Sequence, residues 1–397
     1  MKKRLLFIYL VCGALVLCPA GHAAYFTDVV AFGDSLSDNG NVFALTRGFI
    51  PDQTLYYEGR FSNGPVWVEY LTDELGVGGH LRDYAYGGAQ TAGAIPPGLL
   101  QQVQYFVETF EVPSRALFAI WIGANDLWRE GADVSASVRN IMDALDLLVS
   151  AGADHFLIPN LPNLGATPKW SGSPESYGKG MDVTVEFNRK LKDGVDTFME
   201  ENAGVTVYFL DVFELFEVLM VDYSSLGFTN VTEECPNFGV NFDGDGYLFW
   251  DEIHPTRQGH EYMAMKAAAL IRSVSEPLAD VKANGSDETI TVSPETSVVV
   301  NVTLDPGKLA GLRSDLWIVG TAPFGTFSYL VSCRGWEEGI HAGLPSPLPE
   351  TASSLKVLDR TLSPGTYTFY FAVDDNADGV PDATWMDSVQ VNVSEGS

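Results

Sequence analysis

From Tyr25 to about Ser275 the chain alternates short apolar runs with segments of helical period, and after Ser275 the helical period stops. That order constrains the fold more than any other feature. "TDVVAF", "ALFAIWIG", "HFLIPN" and "VTVYFLDV" read as strands. "GPVWVEYLTDELG", "LLQQVQYFVETF" and "HPTRQGHEYMAMKAAALIRS" read as helices, and Val138, Ile141, Met142, Leu145, Leu148 and Val149 recur at helical spacing. Strand–helix alternation of this kind predicts an α/β domain, with a mostly parallel sheet covered by helices on both faces. Ligands of such sheets sit outside the carboxyl ends of the strands. Beyond Ser275, "EPLADVKANGSDE" has the composition of a linker. The runs that follow, among them "SVVVNVTL", "DLWIVGTA", "GTYTFYFAVD" and "DSVQVNV", are β-rich and broken by Pro, Gly and Asp. They predict a β-sandwich over residues 288–397, with the α/β domain at 25–275 and a linker at 276–287.

The first 24 residues stand apart. Lys2, Lys3 and Arg4 precede an apolar run from Leu5 to Cys18, and small residues ending in "AGHAA" follow. This is the pattern of a cleaved secretory signal peptide, and it predicts a secreted, periplasmic or cell-surface protein. A lipid anchor on Cys18 is the competing reading, and the bulky Leu17 before it argues against one. No other segment is long and apolar enough to span a bilayer, so no transmembrane segment is expected. Across the chain 52 acidic residues face 23 basic ones. Such a surface repels nucleic acid and anionic membranes, so no nucleic-acid partner is expected. Cys235 and Cys333 remain after cleavage, and an exported compartment permits a disulfide between them. Nothing in the sequence signals an oligomeric state.

Four polar clusters close apolar runs. Ser35, in "VVAFGDSLSDNGN", follows the first strand directly. Ser is a favoured helix cap, so the cluster reads either as a strand-to-helix junction or as a nucleophile at a tight turn. The G-x-S-x-G elbow is absent, because Ser37 stands where its second Gly would be. His254, in "FWDEIHPT", has Asp251 three positions before it and Pro255 just after. A carboxylate at that spacing reaches the imidazole around a turn and sets its tautomer. A loop histidine capping the next helix is the plainer alternative. Asn125, in "WIGANDLW", offers an amide at the end of a buried strand, and Gly87 and Gly88, in "YAYGGAQT", let a backbone N–H approach a ligand.

Together these segments resemble the GDSL esterases and lipases, also called SGNH hydrolases. "FGDSLSDNGN" is similar to the first block of that family, "YGGA" to the second, "GAND" to the third and "DEIHPT" to the fifth. The resemblance covers Tyr25 to Ser275 and does not extend to the β-rich region. It implies a flavodoxin-like three-layer αβα domain. It further implies cofactor-free and metal-independent ester hydrolysis, with Ser35, His254 and Asp251 as a triad. The backbone N–H groups of Ser35 and Gly88 and the side chain of Asn125 would form the oxyanion hole. Asp83, in "DYAYGGA", departs from the Asn commoner in the family. "GRFSNGPVW" looks like a feature of bacterial members.

The expected partner is an ester, either a lipid, a small acyl ester or an acetylated glycan. A phospholipase or lipid acyltransferase on the same residues is the close variant. A surface-binding protein on a decayed hydrolase scaffold is the reading from another class. Near the C-terminus, Asp374, Asn376, Asp378, Gly379 and Asp382 fall at calcium-loop spacing. The twelfth position is Trp385 rather than Glu, which favours a polar hairpin loop there.

Overall fold

The computed structural model describes residues 26–113, 115–128, 131–236, 243–332, 334–342, 346–349, 352–375, 379–381, 383 and 385–395. The leader, Cys18, Cys333, Asn376, Asp378 and Asp382 lie outside them. The chain divides into two compact units, with the break between Val274 and Ser275.

The first unit runs β1 (Asp28–Gly33), α1 (Asn41–Leu45), α2 (Trp67–Glu74), β2 (Leu81–Asp83), α3 (Leu99–Thr109), β3 (Ala116–Trp121), α4 (Ala124–Leu127) and α5 (Val134–Ser150). It continues with β4 (His155–Pro159), α6 (Pro174–Glu201), β5 (Thr206–Leu210), α7 (Val212–Asp222), β6 (Asn230–Glu234), β7 (Tyr247–Phe249) and α8 (Arg257–Val274). Its main sheet has the order β2-β1-β3-β4-β5, with every pair parallel. This is the doubly wound order of flavodoxin-like folds. Strands β1 and β3 are buried at every residue, as a parallel sheet covered on both faces requires. Each fully buried Val, Leu, Ile or Phe contributes roughly 1.5–3 kcal/mol.

The helices form two packed groups, α2 with α8 and α3 with α5 and α6. Gly259, Ala264, Ala267 and Ala268 line the buried stripe of α8, and their small size lets α2 approach through Trp67, Val68 and Leu71. Several elements escaped the sequence reading, among them β2, α6 and α7. β2 is only three residues long. α6 is 28 residues long but mostly polar, with Phe187, Leu191, Val195 and Phe198 forming a thin inward stripe.

In the second unit, β8 (Leu278–Ala283), β10 (Ser297–Asp305) and β15 (Ser353–Thr361) form one sheet in the order β15-β10-β8. The other sheet contains β9 (Ile290–Val292), β11 (Arg313–Ala322), β12 (Gly325–Leu330), β13 (Gly335–Glu338), β14 (Ser346–Pro347), β16 (Gly365–Asp374) and β17 (Trp385–Val393). Val281, Val300, Val302, Phe369, Phe371 and Val391 from both sheets share one core, which makes the unit a sandwich. The assignment of residues 276–287 to a linker is corrected here. β8 lies inside that segment and pairs antiparallel with β10. Its residues alternate, with Ala279, Val281 and Ala283 buried and Asp280 and Lys282 more open. An edge strand with one wet face has the same composition as a linker, and only the period of two tells them apart.

Among the described residues no helix is long and apolar enough to cross a membrane. Cys235 is a buried free thiol, pushed up to about 12 by burial and neighbouring carboxylates.

Candidate active site

The order of the sheet reverses between β1 and β3, so a crevice opens beyond their carboxyl ends. Ser35 lies two residues past β1, and Asn125 four past β3. Gly33 ends β1 because a Cβ there would run into the carbonyl oxygen of Trp121 on β3. Its backbone is held on both sides by Gln102, which accepts from the Gly33 N–H and donates to the Gly33 carbonyl, each at 2.9 Å.

Ser35 sits in a hydrogen-bonded turn, in which the Ser37 and Asp38 N–H groups donate to the Asp34 carbonyl. α1 begins only at Asn41. Its first amides are taken by Asp38, whose carboxylate accepts from the N–H groups of Gly40, Asn41 and Val42. The alternative reading of Ser35 as the cap of a following helix is therefore set aside, since those N–H groups serve Asp38 and not Ser35. The same carboxylate accepts from the Gly87 N–H at 2.7 Å and ties the "YGGA" turn to the "GDSLSD" turn. Asp83 works alongside it, accepting from Ala85 N–H and Asn39 N–H.

The third turn is locked to the second. The Asn125 side chain donates to the Ala89 carbonyl at 3.0 Å, and Gln90 donates to the Asn125 carbonyl. Asp126 accepts from the Thr91 N–H and hydroxyl. Gly88 and Asn125 are thus carried by two turns bonded to each other. The N–H groups of Ser35 and Gly88 find no acceptor among the described residues.

The fourth segment follows β7. His254 Nε2 lies 2.9 Å from Ser35 Oγ, and His254 Nδ1 lies 2.6 Å from Asp251 Oδ2. Asp251 Oδ1 accepts from the N–H groups of Ile253 and His254, both at 2.8 Å. Burial raises the proton affinity of Asp251, but the His254 charge and hydrogen bonds from His254, Tyr56 and Ile253 outweigh it. The carboxyl is held below the usual range and is ionised. Ser35 and His254 are each 8% exposed.

Three contributors were not read as site residues from the sequence, although Asp34 lies in "FGDSLSDNGN" and Phe61 in "GRFSNGPVW". Tyr56 Oη donates to Asp251 Oδ2 at 2.6 Å. The Phe61 ring lies 5.3 Å from the His254 imidazole and fills the space over Gly87, where any Cβ would strike it. Asp34, beside the nucleophile, is pushed by burial up to about 7, against a hydrogen bond from Leu36 N–H and the nearby His254. "GRFSNGPVW" supplies part of this support. Ser62 Oγ donates to the Pro255 carbonyl, and Asn63 accepts from the Arg257 N–H.

Ser35, Asn125 and His254 open into a cavity walled by apolar side chains, among them Trp121, Trp128, Leu161, Leu215, Phe216 and Leu219. Among the described residues no group of three or more acidic, histidine or cysteine side chains gathers to hold a metal.

Residues 29–267 match the family model of the GDSL-like lipase/acylhydrolases. The chain is 28% identical over 327 residues to a phosphatidylcholine-sterol acyltransferase of Aeromonas hydrophila, covering 67% of this chain and 96% of that one. It is 28% identical over 273 residues to a thermolabile hemolysin of Vibrio parahaemolyticus, covering 62% of this chain and 64% of that one. It is also 28% identical over 265 residues to the secreted effector protein SseJ of Salmonella typhimurium, again covering 62% of this chain and 64% of that one. A match over most of the α/β unit and more than half of the chain is enough to conclude that the chain belongs to the GDSL-like lipase/acylhydrolase family and is a hydrolase of ester bonds.

Proposed function

We propose that this chain is an exported carboxylic ester hydrolase that acts through an acyl–enzyme on Ser35, with esters of apolar acyl chains as its substrates. One observation carries the reading: a single imidazole bridges Ser35 Oγ and an ionised Asp251. His254 Nε2 takes the proton as Ser35 Oγ bonds to the ester carbonyl carbon. Negative charge moves to the carbonyl oxygen, where the Ser35 and Gly88 N–H groups and Asn125 Nδ2 donate to it. The C–O bond to the alcohol then breaks, and His254 returns the proton to the leaving oxygen. Water repeats the sequence on the acyl–enzyme and regenerates Ser35. Asp251 keeps Nδ1 protonated and balances the imidazolium. Export rests on the leader pattern of residues 1–24, and agrees with one relative being named a secreted effector.

Transfer of the acyl group to a second alcohol is favoured by the apolar cavity beside Ser35 and by likeness to an acyltransferase. Labelling with a fluorophosphonate tests the core of the proposal. Wild-type protein should take up one label on Ser35, and Ser35→Ala none. Labelling that persists in Ser35→Ala removes the nucleophile assignment. Adding cholesterol to phospholipid vesicles with the enzyme separates the two outcomes, because transfer yields cholesteryl ester and hydrolysis only fatty acid.

A further inference from the structure

Protein cores pack with few voids larger than a water molecule, yet the second unit holds a cavity of about 380 Å³ between its two sheets. It lies where β11 and β15 end and β16 begins. Ile318 belongs to the core, so by alternation Gly320 and Ala322 follow it on the inner face of β11. Phe369 stands opposite Gly320 and faces the same way. On β15, Leu358 and Arg360 stand opposite the core residues Val300 and Val298, and so face inward from the smaller sheet. All five line the cavity, and Trp336 on β13 forms a further wall. The Trp336 ring fits because Gly320 has no side chain, for a Cβ there would stand 3.0 Å from it. The ring packs edge-on against Tyr329 and Phe369, and its Nε1 donates to the Val357 carbonyl at 2.9 Å, which ties it to the other sheet. Phe324 is 71% exposed and packs against Phe327 and Tyr367 at the rim.

The lining decides what the cavity takes. A sugar needs donors and acceptors turned toward it, because its hydroxyls cannot be buried unpaired. Here the polar groups of the aromatic wall are already spent, Trp336 Nε1 on Val357 and Tyr367 Oη on the Ser363 carbonyl at 2.9 Å. The hydroxyls of Thr361 and Ser363 belong to exposed residues. An alkyl chain makes no such demand. Arg360 is the one charged residue of the lining. It is exposed, and among the described residues no carboxylate pairs with it. A guanidinium so placed is a natural partner for a carboxylate, which it can hold by two parallel hydrogen bonds. The excess of 52 acidic over 23 basic residues opposes docking on an anionic bilayer, so the anion that reaches Arg360 is a free one.

We propose that this end of the sandwich is a binding site for a free fatty carboxylate, with its alkyl chain between the sheets and its head group on Arg360. The cavity falls within the roughly 300–1,000 Å³ usual for small-molecule sites. The site stands on the geometry of the second unit and does not depend on which reaction Ser35 carries out.

The test is calorimetric titration of the full chain with octanoate, decanoate and dodecanoate, each kept below micelle formation. Affinity should rise about fourfold with each added methylene. Arg360→Gln should weaken dodecanoate binding about 10-fold or more. Decanol, which has a chain without the charge, should bind wild type and Arg360→Gln alike. Ala322→Trp fills the space between the sheets and should abolish the site, whereas Leu215→Trp, in the cavity beside Ser35, should leave it. Arg360 is exposed, so Arg360→Gln keeps the test open even where Ala322→Trp fails to fold. Absence of binding that grows with chain length overturns the proposal, as does dodecanoate binding that Arg360→Gln retains in full. Binding that Leu215→Trp loses and Ala322→Trp keeps overturns it too, because the acid then occupies the cavity beside Ser35. Phosphatidylglycerol vesicles and a soluble glucan oligosaccharide should not bind. Sedimentation with the vesicles that needs Arg360, or saturable binding of the oligosaccharide, overturns the free acid as the ligand.

Discussion

Tyr56 and Asp251 lie 195 positions apart, and the Tyr56 hydroxyl donates at 2.6 Å to the same carboxylate oxygen that holds His254. The phenol is itself kept protonated, first by burial and then by the Asp251 charge. It therefore acts as a fixed donor that shares the carboxylate with the imidazole.

Tyr56→Phe leaves the ring and removes the donor. More of the Asp251 charge then falls on His254, which favours the imidazolium over the free base. The acid limb of the pH–rate profile should move to higher pH, and kcat should fall about 3- to 10-fold at neutral pH with KM little changed. A merely structural Tyr56 would lower the melting temperature and leave the limb where it was.

Asn125→Ala separates transition-state stabilisation from scaffolding. The residue before α4 is Gly123, so Asn125 is not the helix cap. Its amide is pinned by one bond to Ala89, leaving the second N–H for a ligand. The variant should lose ~10²–10³-fold in kcat and far less in KM, as single oxyanion donors do. Loss of the Ala89 bond alone would cost about 1 kcal/mol of stability with turnover per folded molecule unchanged. Measuring both on one preparation decides between them.

Asp34 makes stability depend on pH in a stated direction. Its carboxyl titrates near 3.8 when free and at about 7 in the fold. Between those values the folded chain binds more protons than the unfolded one, so stability falls as pH rises and the loss is complete above 7. Asp34→Asn removes this term. At ~1.4 kcal/mol per unit the difference is a few kcal/mol. Urea midpoints of wild type should fall between pH 4 and 7 relative to Asp34→Asn, and parallel curves would contradict the buried-acid assignment.

Leu215 lines the cavity beside Ser35 and is only partly buried, which makes it a place to shorten the acyl site. Leu215→Trp should lower kcat/KM for a dodecanoyl ester about 10-fold or more relative to an acetyl ester. An equal loss on both esters would mean that the acyl chain lies elsewhere.

Apolar runs such as Val29–Phe32 and Leu117–Trp121 determined the parallel sheet, because strands buried on both faces need near-continuous hydrophobicity. Where the pattern was diluted it hid its element. α6 buries a narrow stripe of a long polar helix, and β8 alternates polar and apolar residues as an exposed edge does. Asp251 and His254 were legible as a pair because three positions of one turn bring them together, and Ser35 because it follows a buried strand. What joins Ser35 to His254 at 2.9 Å is a contact across 219 positions. Tyr56 on Asp251 and Phe61 against Gly87 are of the same kind. Each depends on which strands pair and which loops meet. Local sequence sets periods and turns, but a hydrogen bond between distant residues exists only once packing has fixed both of its ends.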